Sequence, residues 1–323
     1  MKIILVLILM IAMSCASQST QEINTDVDLS ESIVAPFKDQ PELDMDPPID
    51  EANAPCSFFS CPAARLSALS IPSSAQEADL GGCQLGTERN GSAIGNLLYT
   101  LFGSTVISTL VQEDDEGRIA LILLNQLDGW RANSTGPITS GLRSSFYYGN
   151  ALGMTDFLVD PVSVDSTEMP FFSDHVSILN HIYYTHQSKL LIKLPLSGLT
   201  IPMLLTSVNV TGNLSFDQVG FNLTEGRITG YITSQTFRAI VEELGNTCMG
   251  PQSPQICSSI SSILTGNPDQ DADSLISILG GLDSQLLLEE VSTCSDSPQS
   301  CNALSVCLFI EMSSVRILGI DSP

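Results

Sequence analysis

The chain has 323 residues, 43% of them hydrophobic, and carries 36 acidic against 12 basic side chains for a net charge of -24. Such a surface repels nucleic acid and anionic lipid head groups, so DNA and RNA binding are excluded as functions. The apolar content is that of a folding protein, with length for one large domain or two small ones.

The first element is a short apolar run. Lys2 precedes eleven apolar residues, Ile3 to Met13, followed by Ser14 and Cys15. A run this short cannot cross a hydrocarbon core of roughly 30 Å as a helix, so it reads as an export signal. The arrangement resembles a bacterial lipoprotein signal. That resemblance covers residues 1–15 and implies cleavage after residue 14, acylation of Cys15 (palmitate-type chains) and anchoring to the membrane through the lipid. Ala16 is not the aspartate associated with inner-membrane retention, which points to the outer membrane. Soluble secretion after cleavage behind Ala16 is the alternative.

Residues 15–55 follow as an acidic tether. Positions 16–55 hold ten acidic residues against the single base Lys38, with Pro36, Pro41, Pro47 and Pro48 among five prolines. This composition cannot bury enough apolar surface to offset its ordering entropy, so disorder is expected.

A single β-rich domain is expected over 56–323. Asn90-Gly91-Ser92 reads as a helix start, followed by Ile94, Leu97, Leu98, Leu101, Phe102, Val106, Ile107, Leu110 and Val111 at helical spacing. Ile119 to Leu124 reads as a buried strand. Further strands are expected at 144–148, 157–164, 176–185, 189–194, 203–216, 219–223 and 227–233, the last two joined by a hairpin turn at Thr224-Glu225-Gly226. Val208, Val210, Leu214 and Phe216 share one face of their strand, with Asn209, Thr211, Asn213 and Ser215 on the other. Ser234 is placed to cap a helix bearing Phe237, Ile240, Val241 and Leu244, stopped by Gly245; short helices fit 256–264 and 274–279. A strand over 305–317 closes the chain. This order predicts an antiparallel β-sandwich or partly closed barrel decorated with helices, one near the start of the domain and an insert before the last strand.

The cysteines add a constraint. With Cys15 acylated, Cys56, Cys61, Cys83, Cys248, Cys257, Cys294, Cys301 and Cys307 remain. An even number in an exported chain reads as four disulfides, and the spacings are wider than a C-x-x-C zinc pair. The expected pairs are Cys56–Cys61, Cys248–Cys257, Cys294–Cys301 and the long-range Cys83–Cys307.

Chemistry-bearing groups are sparse. His175, His181 and His186 fall close together beside Asp174. On one strand His175 and His181 would face one way and His186 the other, which does not converge on zinc. No G-x-S-x-G elbow is present. Asp269, Asp271 and Asp273 resemble the first half of a calcium loop, but Ser274 and Gly280 replace its glycine and bidentate glutamate; Ca2+ there competes with a helix N-cap role. Trp130, after Asp128-Gly129, and the doublets Tyr147-Tyr148 and Tyr183-Tyr184 are the aromatics weighed for a sugar site against core packing. Asn90, Asn133, Asn209, Asn213 and Asn222 form N-x-[ST] sequons, meaningful only in a eukaryotic secreted chain. These readings favour a non-enzymatic cell-envelope lipoprotein, structural or binding an unknown surface or apolar ligand. The alternatives are a carrier of a lipid or other apolar ligand, and an enzyme whose site is assembled from scattered residues.

Overall fold

The structure is a computed structural model describing residues 56, 58–83, 107–131, 138, 140–185, 188–196, 199–250, 257, 264–278, 281–286, 291–293 and 301–322. Cys15 and the expected signal and tether lie outside the described residues, as does the helix expected from Asn90 except for a helical turn at 107–109.

Twelve strands form one sheet: β1 (Ala63–Ser70), β2 (Leu123–Asp128), β3 (Arg143–Ala151), β4 (Asp156–Val159), β5 (Phe172–Leu179), β6 (Ile182–Thr185), β7 (Ser188–Leu196), β8 (Leu199–Phe216), β9 (Phe221–Thr233), β10 (Ser284–Leu286), β11 (Val291–Thr293) and β12 (Ala303–Ile320). Among the described residues the complete helices are α1 (Ala75–Leu80), α2 (Ser234–Cys248) and α3 (Pro268–Ile278). The domain is mainly β, as the sequence predicts. The sheet runs β1-β2-β3-β5-β6-β8-β9-β12, and β12 then pairs with β1, so the antiparallel ladder returns to its own start. That pairing makes it a closed barrel and not two separate layers. β7 carries on from β6 along β8, while β4 lies outside the ring, antiparallel to β3 and parallel to β12.

The inward face is mainly apolar, interrupted by the buried Asn125 of β2 and Ser144 of β3. Leu66, Leu123, Phe146, Val176, Val208, Val210, Leu223, Ile228, Val306, Leu308 and Ile310 belong to one buried core. Outward positions on β8 and β9 are Asn209, Thr211, Asn213, Asn222, Thr224, Arg227 and Thr229. On these two strands polar residues face out and apolar residues face in, the alternation of a sheet with one wet face. No described helix is long and apolar enough to cross a membrane. Phe237, Ile240 and Val241 of α2, with Ala272 and Leu275 of α3, join the core where β9 ends. Ala63, Leu124, Tyr147, Phe157, Val159, Val315 and Ile317 make a second core where β4 and the end of β12 cover the outer face of β1 to β3.

Several expected boundaries move. The 119–124 strand starts only at Leu123 and runs on to Asp128. The 157–164 strand ends at Val159, where Asp160 caps a 3-10 turn opened by Pro161. The single strand expected at 176–185 is a hairpin, because Asn180 and His181 both take positive φ (51° and 65°) and reverse the chain. The reverse holds at 224–226: β9 passes through without a hairpin, absorbing Glu225 (φ 49°) in a bulge between β8 and β12. Thr233 takes the N-cap role expected of Ser234, accepting from the Thr236 N–H at 3.1 Å, and α2 runs past Gly245 to Cys248. The helix expected at 274–279 starts at Pro268, as proline at a first turn allows. The helix expected at 256–264 lies outside the described residues apart from Cys257 and Leu264.

The structure joins Cys56 to Cys61, Cys83 to Cys307 and Cys248 to Cys257. Cys301 is disulfide-bonded, while Cys294 lies outside the described residues.

Candidate functional site

One end of the barrel opens into a cleft of about 750 Å³. Three reversals of the chain build it. The first follows β2: Gly129 takes φ +83°, and a β-carbon there would meet the Gly141 carbonyl, so only glycine turns the chain here. Trp130 is thereby thrown across the mouth, where its carbonyl accepts from the Cys56 N–H at 3.0 Å. The Cys56–Cys61 bridge fixes that strap, and Ser60, Cys61 and Pro62 line the cleft beside it.

The second reversal is the Asn180-His181 turn, which places both side chains on the rim. It is pinned by the Leu214 N–H, which donates to the His181 carbonyl at 2.7 Å. The third joins β8 to β9. Its Asp217 carboxylate accepts from Ser314 Oγ (2.6 Å), the Val219 and Gly220 N–H groups (2.8 and 3.0 Å) and Asn222 Nδ2 (3.1 Å). The Ser314 hydroxyl first, then the Gly220 N–H, hold this carboxyl far below the usual range. Gly220 is obligatory for space, since a β-carbon would run into the Ala63 carbonyl.

Phe216, the last residue of β8, stacks on Trp130 with ring centroids 4.1 Å apart and planes 21° apart. It keeps 39% of its surface exposed. Ile138, Ile178 and Leu214 form the apolar lining, and Gln218 joins Asn180, His181 and Ser60 on the polar side. None of the described lining residues is lysine or arginine.

The cleft therefore gathers Trp130 and His181 from the sequence-derived candidates and adds Phe216, Asn180, Asp217 and Gln218. It also brings His181 and Asp217 to one cavity, the convergence that an enzymatic reading requires. Asp217, saturated by four donors and held ionised, is a poor proton acceptor. His175 lies on β5, opposite Arg143 of β3, and His186 lies outside the described residues.

A second polar cluster occupies the outer face of β2, β3 and β5. Ser145 Oγ donates to Asp128, stands 3.1 Å from Ser173 Oγ, and Arg143 Nε donates to Ser173 at 3.0 Å. Burial pushes the Asp128 carboxyl up, against the pull of Ser145 and Arg143. A serine nucleophile needs an imidazole between itself and the carboxylate, and here the two bond directly.

The run Asp269, Asp271, Asp273 does not form a calcium loop. It sits in α3, with Asp269 and Asp273 paired to Arg238 at 2.8 and 2.6 Å. Asp271 turns the other way, accepting from Thr265 N–H (2.7 Å), Thr265 Oγ1 (2.6 Å) and Gly266 N–H (3.2 Å). Helical spacing sends the three carboxylates to different partners, and no group fit to hold a metal occurs among the described residues. The Tyr doublets split as strand alternation requires, with Tyr183 fully buried and Tyr184 exposed.

No family model, curated protein or solved structure matches this chain.

Proposed function

We propose that the chain is an exported, non-enzymatic binding protein of the cell envelope, anchored through Cys15, whose ligand site is the cleft at the open end of the barrel. The observation that carries it is the cleft itself: an aromatic stack and a polar rim held in place by a disulfide strap and two tight turns. A site fixed this way loses little freedom on binding. The disulfides suit an oxidising compartment, and the apolar run ending at Cys15 supports export.

Intact-mass analysis of the mature protein from the membrane fraction, before and after reduction, tests the anchoring half. The expected result is acyl mass on Cys15 and a gain of eight hydrogens on reduction, two for each expected bridge. An unmodified chain starting after Ala16 overturns the anchor, and free thiols overturn the four-bridge framework. The carrier alternative draws on the apolar lining Ile138, Ile178 and Leu214.

A further inference from the structure

The proposed cleft can be assigned a ligand chemistry, an assignment that rests on the cleft being the ligand site. We infer that it takes a neutral saccharide. Charge excludes the first alternative. The described lining offers no lysine or arginine, Asp217 is held ionised on it, and the whole chain carries -24. A phosphate, carboxylate or sulfate would meet repulsion with no counter-charge.

Polarity disfavours the second alternative, an alkyl chain. Asn180, Gln218 and His181 stand beside the apolar lining. Under an alkyl chain these groups would lose water and gain no partner, a cost that a hydroxylated ligand avoids. Side-chain amides present a donor and an acceptor side by side, matching neighbouring hydroxyls of a sugar ring. Phe216 and Trp130, stacked on one another and both lining the cleft, supply apolar ring surface for the C–H face of the same sugar. The cleft volume falls in the range of ligand sites, about 300–1,000 Å³.

Trp130 is the sole tryptophan, so its emission reports on this wall. The experiment titrates the disulfide-bonded mature chain with four neutral hexasaccharides (cellohexaose, maltohexaose, mannohexaose and fully N-acetylated chitohexaose) and separately with 1-dodecanol. The expected result is a saturable change in Trp130 emission with at least one saccharide. Phe216→Ala, at an exposed position, should weaken that binding about tenfold with unchanged circular dichroism. Gln218→Ala should weaken it several-fold. Response to dodecanol alone overturns the saccharide and leaves the cleft a ligand site. Silence toward all five probes overturns both readings. Saccharide binding that survives Phe216→Ala also overturns the assignment, because the sugar then sits elsewhere.

Discussion

Ser144 shows how one small side chain can organise an apolar interior. Its Oγ accepts from Asn125 Nδ2 at 2.6 Å and from the Tyr183 hydroxyl at 2.5 Å, all three groups being buried. Ser144→Ala would strand two buried donors, so urea unfolding should show a loss of about 2–3 kcal/mol. Adding Tyr183→Phe should return part of it, because removing both partners costs less than removing one. Tyr148 makes a related prediction. Its hydroxyl donates to the Leu191 carbonyl at 2.8 Å, accepts from the Lys193 N–H at 3.0 Å, and burial pushes its pKa up to about 12. The unfolded chain releases this proton near pH 10 and the folded one only later. Stability is therefore fully present below pH 10 and lost as the pH rises toward 12, at about 1.4 kcal/mol per pH unit for each such tyrosine. Burial raises Tyr147 and Tyr183 in the same direction. Tyr148→Phe should flatten the slope in urea titrations between pH 9 and 12. The candidate site was half legible at this scale. Trp130 stood out as a lone ring after a glycine. His181 was misplaced, because Val176 to Thr185 reads as unbroken strand and the Asn180-His181 reversal lacks the usual glycine.

Among the elements, the α2–α3 pair separates contacts that matter from contacts that merely exist. The Arg238 ion pairs to Asp269 and Asp273 are largely exposed. Arg238→Ala should cost under about 1 kcal/mol. Asp271 is buried and satisfies three donors of the preceding turn, so Asp271→Ala should cost about 1–3 kcal/mol. Thermal unfolding of the two variants side by side checks the order. The alternating stretches Val208–Phe216 of β8 and Val306–Met312 of β12 are legible because one face of each is mainly apolar, whereas β8 slips phase at Ser207 (φ 49°) and β12 passes its apolar set from Met312 to Val315 and Ile317. The failures share a cause. Thr224-Glu225-Gly226 carries turn residues, yet pairing with β8 and β12 on both sides keeps β9 continuous and confines the local preference to a bulge. β1 is not legible in the sequence; Ala63, Ala64 and Arg65 give a weak strand signal, and the strand exists because β2 and β12 flank it.

For the molecule as a whole, the bridge between Cys83 and Cys307 spans a sequence separation of 224 residues. In the chain-entropy account a loop this long is worth about 5 kcal/mol, against about 2 kcal/mol for the Cys56–Cys61 loop. Replacing Cys83 and Cys307 together by serine should therefore lower the melting temperature much more than replacing Cys56 and Cys61. Calorimetry at neutral pH makes the comparison. Barrel against sandwich was not legible, because the decision lies in the pairing of Ala63 with Val315, residues almost a domain apart in sequence.

That same pairing governs the order of assembly. β12 is flanked by β9 on one side and β1 on the other, so a nascent chain lacking it has two raw edges, Ala63–Ser70 and Phe221–Thr233, with nothing to zip them. Contacts between such remote segments form slowly. A polypeptide that cannot shut before its final strand exists stays threadable through a narrow pore until then. Stop codons upstream of Ala303 should yield sticky, protease-sensitive fragments in place of smaller barrels.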